Sequence, residues 1–239
     1  ECDDGNQVPF EAFLNRVPRG QPFFLWFGFH EPHRPYTKGL IAQPHDPAKV
    51  RVPGFLPDTP VIREDLAMCY DAISRLDEQC GQMLDILERR GLAEDTMVVF
   101  LGDNGMQYPR SLAALYQAGV HVPLLIRWPG KVKPATVSGE LVSMIDLPPT
   151  WLDAAGLPTP GFMEGRSLVN LLRGAAHRSR EFVFTERNWH DNWDPARGVV
   201  SQRHSLICNY RPDVSYRGTL DHVQGPPWNR QEGKRVWDS

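Results

Sequence analysis

Two short stretches of this chain hold the residue types that could do chemistry. Residues 99–109 read VFLGDNGMQYP, an apolar run that stops at Gly102 and delivers Asp103 and Asn104 side by side. A carboxylate oxygen next to an amide oxygen suits a hard cation such as Ca²⁺, whereas zinc prefers His or Cys. Asp-Asn-Gly is equally ordinary turn chemistry, so the dipeptide alone leaves both readings open. Residues 30–35 read HEPHRP: two imidazoles, a guanidinium and two prolines that stiffen the backbone. His30 and His33 held this way fit an oxyanion-binding or acid–base role, or are incidental in a loop.

These groups need elements to position them. Residues 22–29, PFFLWFGF, form a continuous apolar run and predict a strand buried on both faces. A Pro- and Gly-rich stretch over 37–60 predicts a long surface loop. From Leu66 the period changes: Leu66, Cys69, Ile73, Leu76, Cys80, Met83, Leu84 and Leu87 recur at three- and four-residue steps, with charges between them. This predicts an amphipathic helix over 63–90, stopped by Gly91. The strand TMVVFLG follows, and VPLLIRW at 122–128 predicts another buried strand. Strand, loop, helix and strand in that order suggest a mostly parallel sheet with helical cover. In such sheets ligands bind beyond the carboxyl ends of the strands. If the first two strands are neighbours, His30, His33, Asp103 and Asn104 face one crevice. Further on, IDLPPTWLDAAG and residues 167–173 predict short helices, EFVFTER predicts a strand, and 197–210 a hairpin around Gln202-Arg203-His204. The tail from Pro212 is polar and rich in Pro and Gly.

Bulk properties narrow the classes. The chain has 239 residues, 41% hydrophobic and 23% charged, with a formal net charge of −3. That balance is ordinary for a globular protein and offers no global field for nucleic acid. No apolar run reaches the length of a bilayer span. The four cysteines, Cys2, Cys69, Cys80 and Cys208, lack zinc-type spacing. Cys69 and Cys80 share one predicted helix about 16 Å apart along its axis, too far for a disulfide. Cys80 falls on the apolar stripe and is expected to be a buried free thiol.

The blocks PFFLWFGFHEPHRPY, YDAISRLDEQCGQMLDILERRGLAEDTMVVFLGDNG and YQAGVHVPLLIRWPGKV resemble, in order and spacing, the middle and C-terminal blocks of the sulfatase family within the alkaline phosphatase superfamily. They cover residues 20–156. TERNWHDNWDPARGVVSQRHSLICNY further resembles the heparan sulfamidase-like branch. The resemblance implies an α/β fold: an alkaline phosphatase-like mixed sheet sandwiched by helices, then a smaller C-terminal α+β part with a four-stranded antiparallel sheet. Residues 1–160 would be the later portion of the catalytic domain and 161–239 the smaller subdomain. It implies one Ca²⁺ per site, held by an early Asp pair, a formylglycine and a later Asp-Asn pair matched by Asp103 and Asn104. His30 matches the histidine that contacts the sulfate or leaving-group oxygen. His33, Arg110, His190 and Arg197 are the implied substrate-side residues, with Asp191 and Asp194 in the same HDNWDPAR segment. The implied substrate is a sulfated sugar or another sulfate ester. The implied compartment is exported, periplasmic or lysosomal.

Two departures from the family pattern stand out. The nucleophile motif, Cys or Ser followed two residues later by Pro, is absent: none of the four cysteines has that proline. Asp3-Asp4-Gly5 superficially matches the early metal pair but lacks the apolar strand that should precede it. The expectation is therefore a later segment of a longer sulfatase, inactive alone, with the nucleophile and half of the calcium ligands in an upstream part of the same protein. Second, relatives tend to read PRSKANLYDAG after Asp-Asn-Gly, with a cation contacting the sulfate. This chain reads PRSLAALYQAG, so Leu112 stands where the cation belongs, Ala114 where Asn is common, and Arg110 is the nearest substitute. Two alternatives stay open: a phosphate mono- or diesterase of the same superfamily, and a sulfatase-like protein that binds sulfated glycans without cleaving them.

Overall fold

A computed structural model describes residues 7–190 and 193–213. Cys2, Asp3-Asp4-Gly5, Asp191 and the tail from residue 214 lie outside them. The chain forms two compact units. The described part of the first is 7–93 together with Gln107–Pro109; that of the second is 94–106, 110–190 and 193–213. Residues 110–160 thus share a unit with 161–213, so the compact units do not follow a division at 160.

The first unit is organised by one long helix. Helix α1 spans Gln7–Arg16 and α2 spans Pro60–Arg89. Thr59 caps α2 by accepting from the Ile62 N–H at 3.3 Å, and Pro60 opens its first turn, where a missing N–H is harmless. At the far end Gly91 adopts φ +66°, and the N–H groups of Gly91 and Leu92 bond back to Glu88 and Leu87. That is the Schellman stop expected of a glycine just past a helix. Ile62, Asp65, Leu66, Cys69, Ala72 and Leu76 form the buried stripe, at the three- and four-residue steps of one helical face. Two of the anticipated stripe residues, Ile73 and Leu84, are exposed instead. Cys69 and Cys80 are both free thiols, but only Cys69 is buried; Cys80 is half-buried. Asp65 and Asp71 are buried carboxylates. Asp71 accepts from the backbone N–H of His45 at 2.8 Å, fastening the proline-rich segment to the helix.

Residues 22–29 correct the sequence reading. They run extended but belong to no strand, and their exposure alternates. Phe24 and Trp26 are 64% and 66% exposed, so the segment is not buried on both faces. A run that is apolar at every position carries no period by which one-sided and two-sided burial could be told apart.

The second unit contains two antiparallel sheets. Strand β1, Val98–Leu101, pairs with β2, Leu124–Arg127, in the register Val98↔Arg127 to Leu101↔Leu124. The described sheets are antiparallel where the strand, loop, helix and strand order suggested a mostly parallel one, and β1–β2 is one wide hairpin whose long loop carries Asp103 and Asn104. Strand β2 is also half-buried rather than buried, with Leu125 60% exposed. Helix α3 (Gln117–Val120) lies in that loop, and α4 (Leu147–Ala154) and α5 (Val169–Leu172) follow β2. Asp146 ties this stretch together. It accepts from the Ser143 and Arg166 backbone N–H groups at 2.9 and 2.7 Å and pairs with Arg180. Strands β3 (Val183–Trp189), β4 (Trp193–Val200) and β5 (Ser205–Asn209) form an antiparallel meander. The β4–β5 turn closes through Ser201 N–H to the His204 carbonyl at 2.8 Å, where the hairpin was expected. The described sheet has three strands, against four implied by resemblance.

Candidate active site

The sequence-predicted residues fall in both units, and each set is built by its own surroundings. In the first unit His30 and His33 project from a turn closed by His33 N–H to the His30 carbonyl at 2.9 Å. Both side chains are exposed, and their ring centroids are 5.1 Å apart. His33 Nδ1 lies 2.6 Å from the Arg34 carbonyl. A carbonyl only accepts, so this nitrogen carries the proton, which makes Nε2 the acceptor in the neutral ring.

What holds this turn was not read from the sequence. Arg34, the guanidinium beside the imidazoles, is only 4% exposed and is a structural cation. Its Nη1 donates to Asp65 Oδ1 at 2.7 Å and its Nη2 to Oδ2, a two-pronged pair of the kind that fixes direction as well as charge. Tyr108 donates its hydroxyl to Asp65 Oδ2 at 2.6 Å. The Arg34 backbone N–H donates to Gln107 Oε1 at 2.7 Å. The guanidinium lies over the Tyr36 ring at 4.5 Å and the Tyr108 ring at 5.3 Å. Burial alone would lower the Arg34 pKa, but the hydrogen bonds and charge of Asp65 outweigh it and drive it up. Burial, reinforced by the Asp65 charge, pushes the Tyr108 phenol well above its ordinary range. Tyr36 and Cys69 are likewise pushed up, chiefly by burial. Between the two histidines, Glu31 accepts from Arg75 of α2, Nε to Oε1 at 2.7 Å.

In the second unit Asp103 and Asn104 leave the end of β1 with both side chains exposed. Asn104 Nδ2 donates to the Gly105 carbonyl at 2.9 Å, which leaves its Oδ1 as the outward oxygen. Among the described residues the Asp103 carboxylate has neither hydrogen bond nor ion pair. An ordinary Asx turn would spend that carboxylate on a backbone N–H; here both oxygens stay available. The pair fits a hard cation in donor type and supplies part of its shell, since calcium takes six to eight oxygens. Among the described residues no cluster of three or more His, Cys, Asp or Glu side chains completes it.

The loop beyond is shaped by backbone contact. A Cβ on Gly105 would press on the Ala118 carbonyl and lie 2.5 Å from Ser111 Oγ, and Ser111 itself donates to Ala118 O at 2.8 Å. Arg110 is exposed, adopts φ +64° and sits 5.5 Å from the Tyr116 ring centroid. A non-glycine residue in that conformation is uncommon and costs free energy. Leu112 is buried at 8% exposure, its N–H bonded to the Met106 carbonyl, and Ala114 is buried too. Arg187 on β3, a residue the sequence reading passed over, donates to the Ala113 carbonyl at 2.8 Å and pairs with Asp194. It connects the Arg110 loop to the meander.

His190 is half-buried just past β3. Arg197 on β4 lies opposite Glu186, with Nε 3.4 Å from Oε2, and its Nη1 donates to the Ala196 carbonyl. Much of its hydrogen-bonding capacity is thus engaged within the sheet.

A family model described as Sulfatase matches residues 8–157. The chain belongs to the sulfatase family. A second family model, N-sulphoglucosamine sulphohydrolase, C-terminal, matches residues 110–227. N-sulphoglucosamine sulphohydrolase from Homo sapiens is 35% identical over 223 residues, 79% of this chain and 44% of that protein. The ulvan-active sulfatase from Formosa agariphila is 31% identical over 180 residues, 75% of this chain and 30% of that protein. The chain therefore spans less than half the length of these two curated relatives. Among solved structures, the phosphonate monoester hydrolase from Silicibacter pomeroyi aligns over 99% of this chain and 58% of its own. The TM-score is 0.64 at 22% identity, a likeness that shows the alkaline phosphatase-like fold alone. No described helix is long and apolar enough to cross a membrane.

Proposed function

We propose that the protein to which this chain belongs is a sulfatase that hydrolyses a sulfate ester or N-sulfate on a carbohydrate. The observation that carries this is the exposed Asp103–Asn104 pair, whose oxygens are left unspent at the end of β1 in a chain of the sulfatase family. Asp103 and Asn104 Oδ1 would hold part of a Ca²⁺ shell. When bound, that ion supplies positive charge to the sulfate oxygens. His30 donates a hydrogen bond to the sulfate or to the departing oxygen or nitrogen, and His33 stands beside it. Arg110 is the cation on the substrate side, with His190 and Arg197 toward the sugar. Donors aimed at charge that develops during the reaction are commonly the largest catalytic contribution. The family's formylglycine would come from a segment outside these 239 residues, so this chain alone would not turn over. Residues 1–160 read as the later part of the catalytic domain and 161–239 as the smaller subdomain. An exported, periplasmic or lysosomal compartment follows from the resemblance, and fractionation of cells carrying a tagged protein tests it.

The deciding experiment assays the full-length protein and the 239-residue chain on 4-nitrophenyl sulfate and N-sulfoglucosamine, with and without EGTA. Sulfate release by the full-length protein alone, lost in EGTA and restored by calcium, is expected. Zinc dependence with phosphate-ester turnover would replace this reading by the phosphoesterase one. Leu112, buried and unable to donate, favours one further reading, in which the protein binds sulfated glycans without cleaving them. Saturable binding of a heparan sulfate oligosaccharide with no sulfate release would establish it.

A further inference from the structure

We propose that Asp65 is a positioning residue for His30 and His33, acting through Arg34; this rests on the sulfatase reading above. The two histidines sit on an exposed turn whose prolines stiffen the backbone, and the orientation of that turn depends on what fastens it to α2. Both are exposed, and the described backbone bond that closes the turn is the single one between them. Arg34, the residue immediately after His33, is a strongly constrained side chain. It is gripped at both prongs by Asp65, covered on its faces by Tyr36 and Tyr108, and held at its backbone N–H by Gln107. Asp65 is in turn satisfied by Tyr108. The anchor is a rigid helix, with Asp65 two turns before Asp71 and Ala72 on the same buried surface.

A buried ion pair is weak evidence of stabilisation, since apolar residues of similar volume often serve as well. Its distinctive property is directional: a bidentate guanidinium–carboxylate pair admits one geometry. That property is of use where an adjacent group must be held within about half an ångström of its working position. Glu31, between the two histidines, forms a second tie with Arg75, but Glu31 Oε2 and Arg75 Nη1 are buried with no hydrogen-bond partner. The Arg34–Asp65 tie is the more complete, and it assigns the role to Asp65.

The test uses the full-length protein and a double-mutant cycle with His30. Asp65→Asn is expected to lower kcat on 4-nitrophenyl sulfate about 10-fold and Tyr108→Phe about 3-fold, with KM changed less than about 2-fold, as for loss of orientation. In the His30→Ala background both effects should shrink to near unity, because there is no longer a side chain to position. Equal losses in both backgrounds would show a merely structural role and overturn the proposal. Should Asp65→Asn fail to fold, Tyr108→Phe carries the cycle, since it removes one hydroxyl and leaves the ion pair. If the wild type releases no sulfate, the functional reading has failed separately. Hydrogen exchange over residues 30–36 then decides the tie: faster exchange in Tyr108→Phe supports it, and unchanged exchange overturns it.

Discussion

The His30–Tyr36 turn and the Asp103–Gly105 turn present the proposed site residues by opposite means. The first is held from behind by charge: Arg34, Asp65 and Tyr108 are buried while the histidines stand in solvent. The second is held by backbone closeness. Gly105 and Gly119 let the chain approach where a methyl group would not fit, and the carboxylate of Asp103 is tied to nothing among the described residues. Imidazole chemistry depends on where a proton donor points, so it benefits from a rigid brace. A calcium ligand is gathered by the ion itself, whose shell is flexible, and it can be left loose until the ion arrives.

The contrast breaks first at the reactive groups. In the full-length protein His30→Ala should lower kcat/KM on an aryl sulfate roughly 10²–10⁴-fold, the range for a lost general acid or base. Added calcium should not restore it. Asp103→Ala should lose activity that millimolar calcium partly returns. If calcium rescues both or neither, the two turns do not differ in the way described.

One step smaller is the brace. Arg34→Met leaves Asp65 buried without its cation and should destabilise the fold by about 3–5 kcal/mol in urea unfolding. Arg34→Met with Asp65→Leu should recover most of that loss while leaving kcat low. Smaller again is Gly105→Ala, which removes no charge and no hydrogen bond. Its methyl group would press on the Ala118 carbonyl and Ser111 Oγ, an overpacking worth about 1–3 kcal/mol. Apparent calcium affinity should fall with it while hydrogen exchange over 30–36 stays unchanged.

The weakest expected effect is on pH. Burial raises the Cys69 thiol and the Tyr36 and Tyr108 phenols. Above their ordinary values, about 8.5 and 10, the unfolded chain loses protons that the folded chain keeps. Stability contributed by these groups is therefore complete below pH 8 and declines as pH rises beyond it. A melting temperature that falls between pH 8 and 10.5, and falls less in Tyr108→Phe, would show this. Exposed Cys208 should react with a thiol reagent at pH 8 while Cys69 stays protected.

The long helix was legible because its period and its glycine stop are local signals, carried by Leu66, Cys69, Leu76 and Gly91. Asp103 and Asn104 were legible as polar residues at a strand end, and His30 and His33 as imidazoles between prolines. The brace was not. Asp65 looks like one of the charges that decorate a solvent face, and only its partner, thirty-one residues away, makes it interior. The pairing of β1 with β2 is likewise a property of two distant segments, so an apolar run could announce a strand but not its direction. Arg187 carries no motif at all, and its bond to Ala113 becomes visible only once β3 is in place.

Leu112 has a bearing on how this loop can change over generations. An aliphatic side chain has settled into the interior there. A single substitution to lysine would have to bury an ammonium group there, which desolvation opposes. A basic side chain at position 112 is therefore opposed by burial, and Arg110, exposed on its left-handed backbone, is the shorter route to a positive charge in this loop.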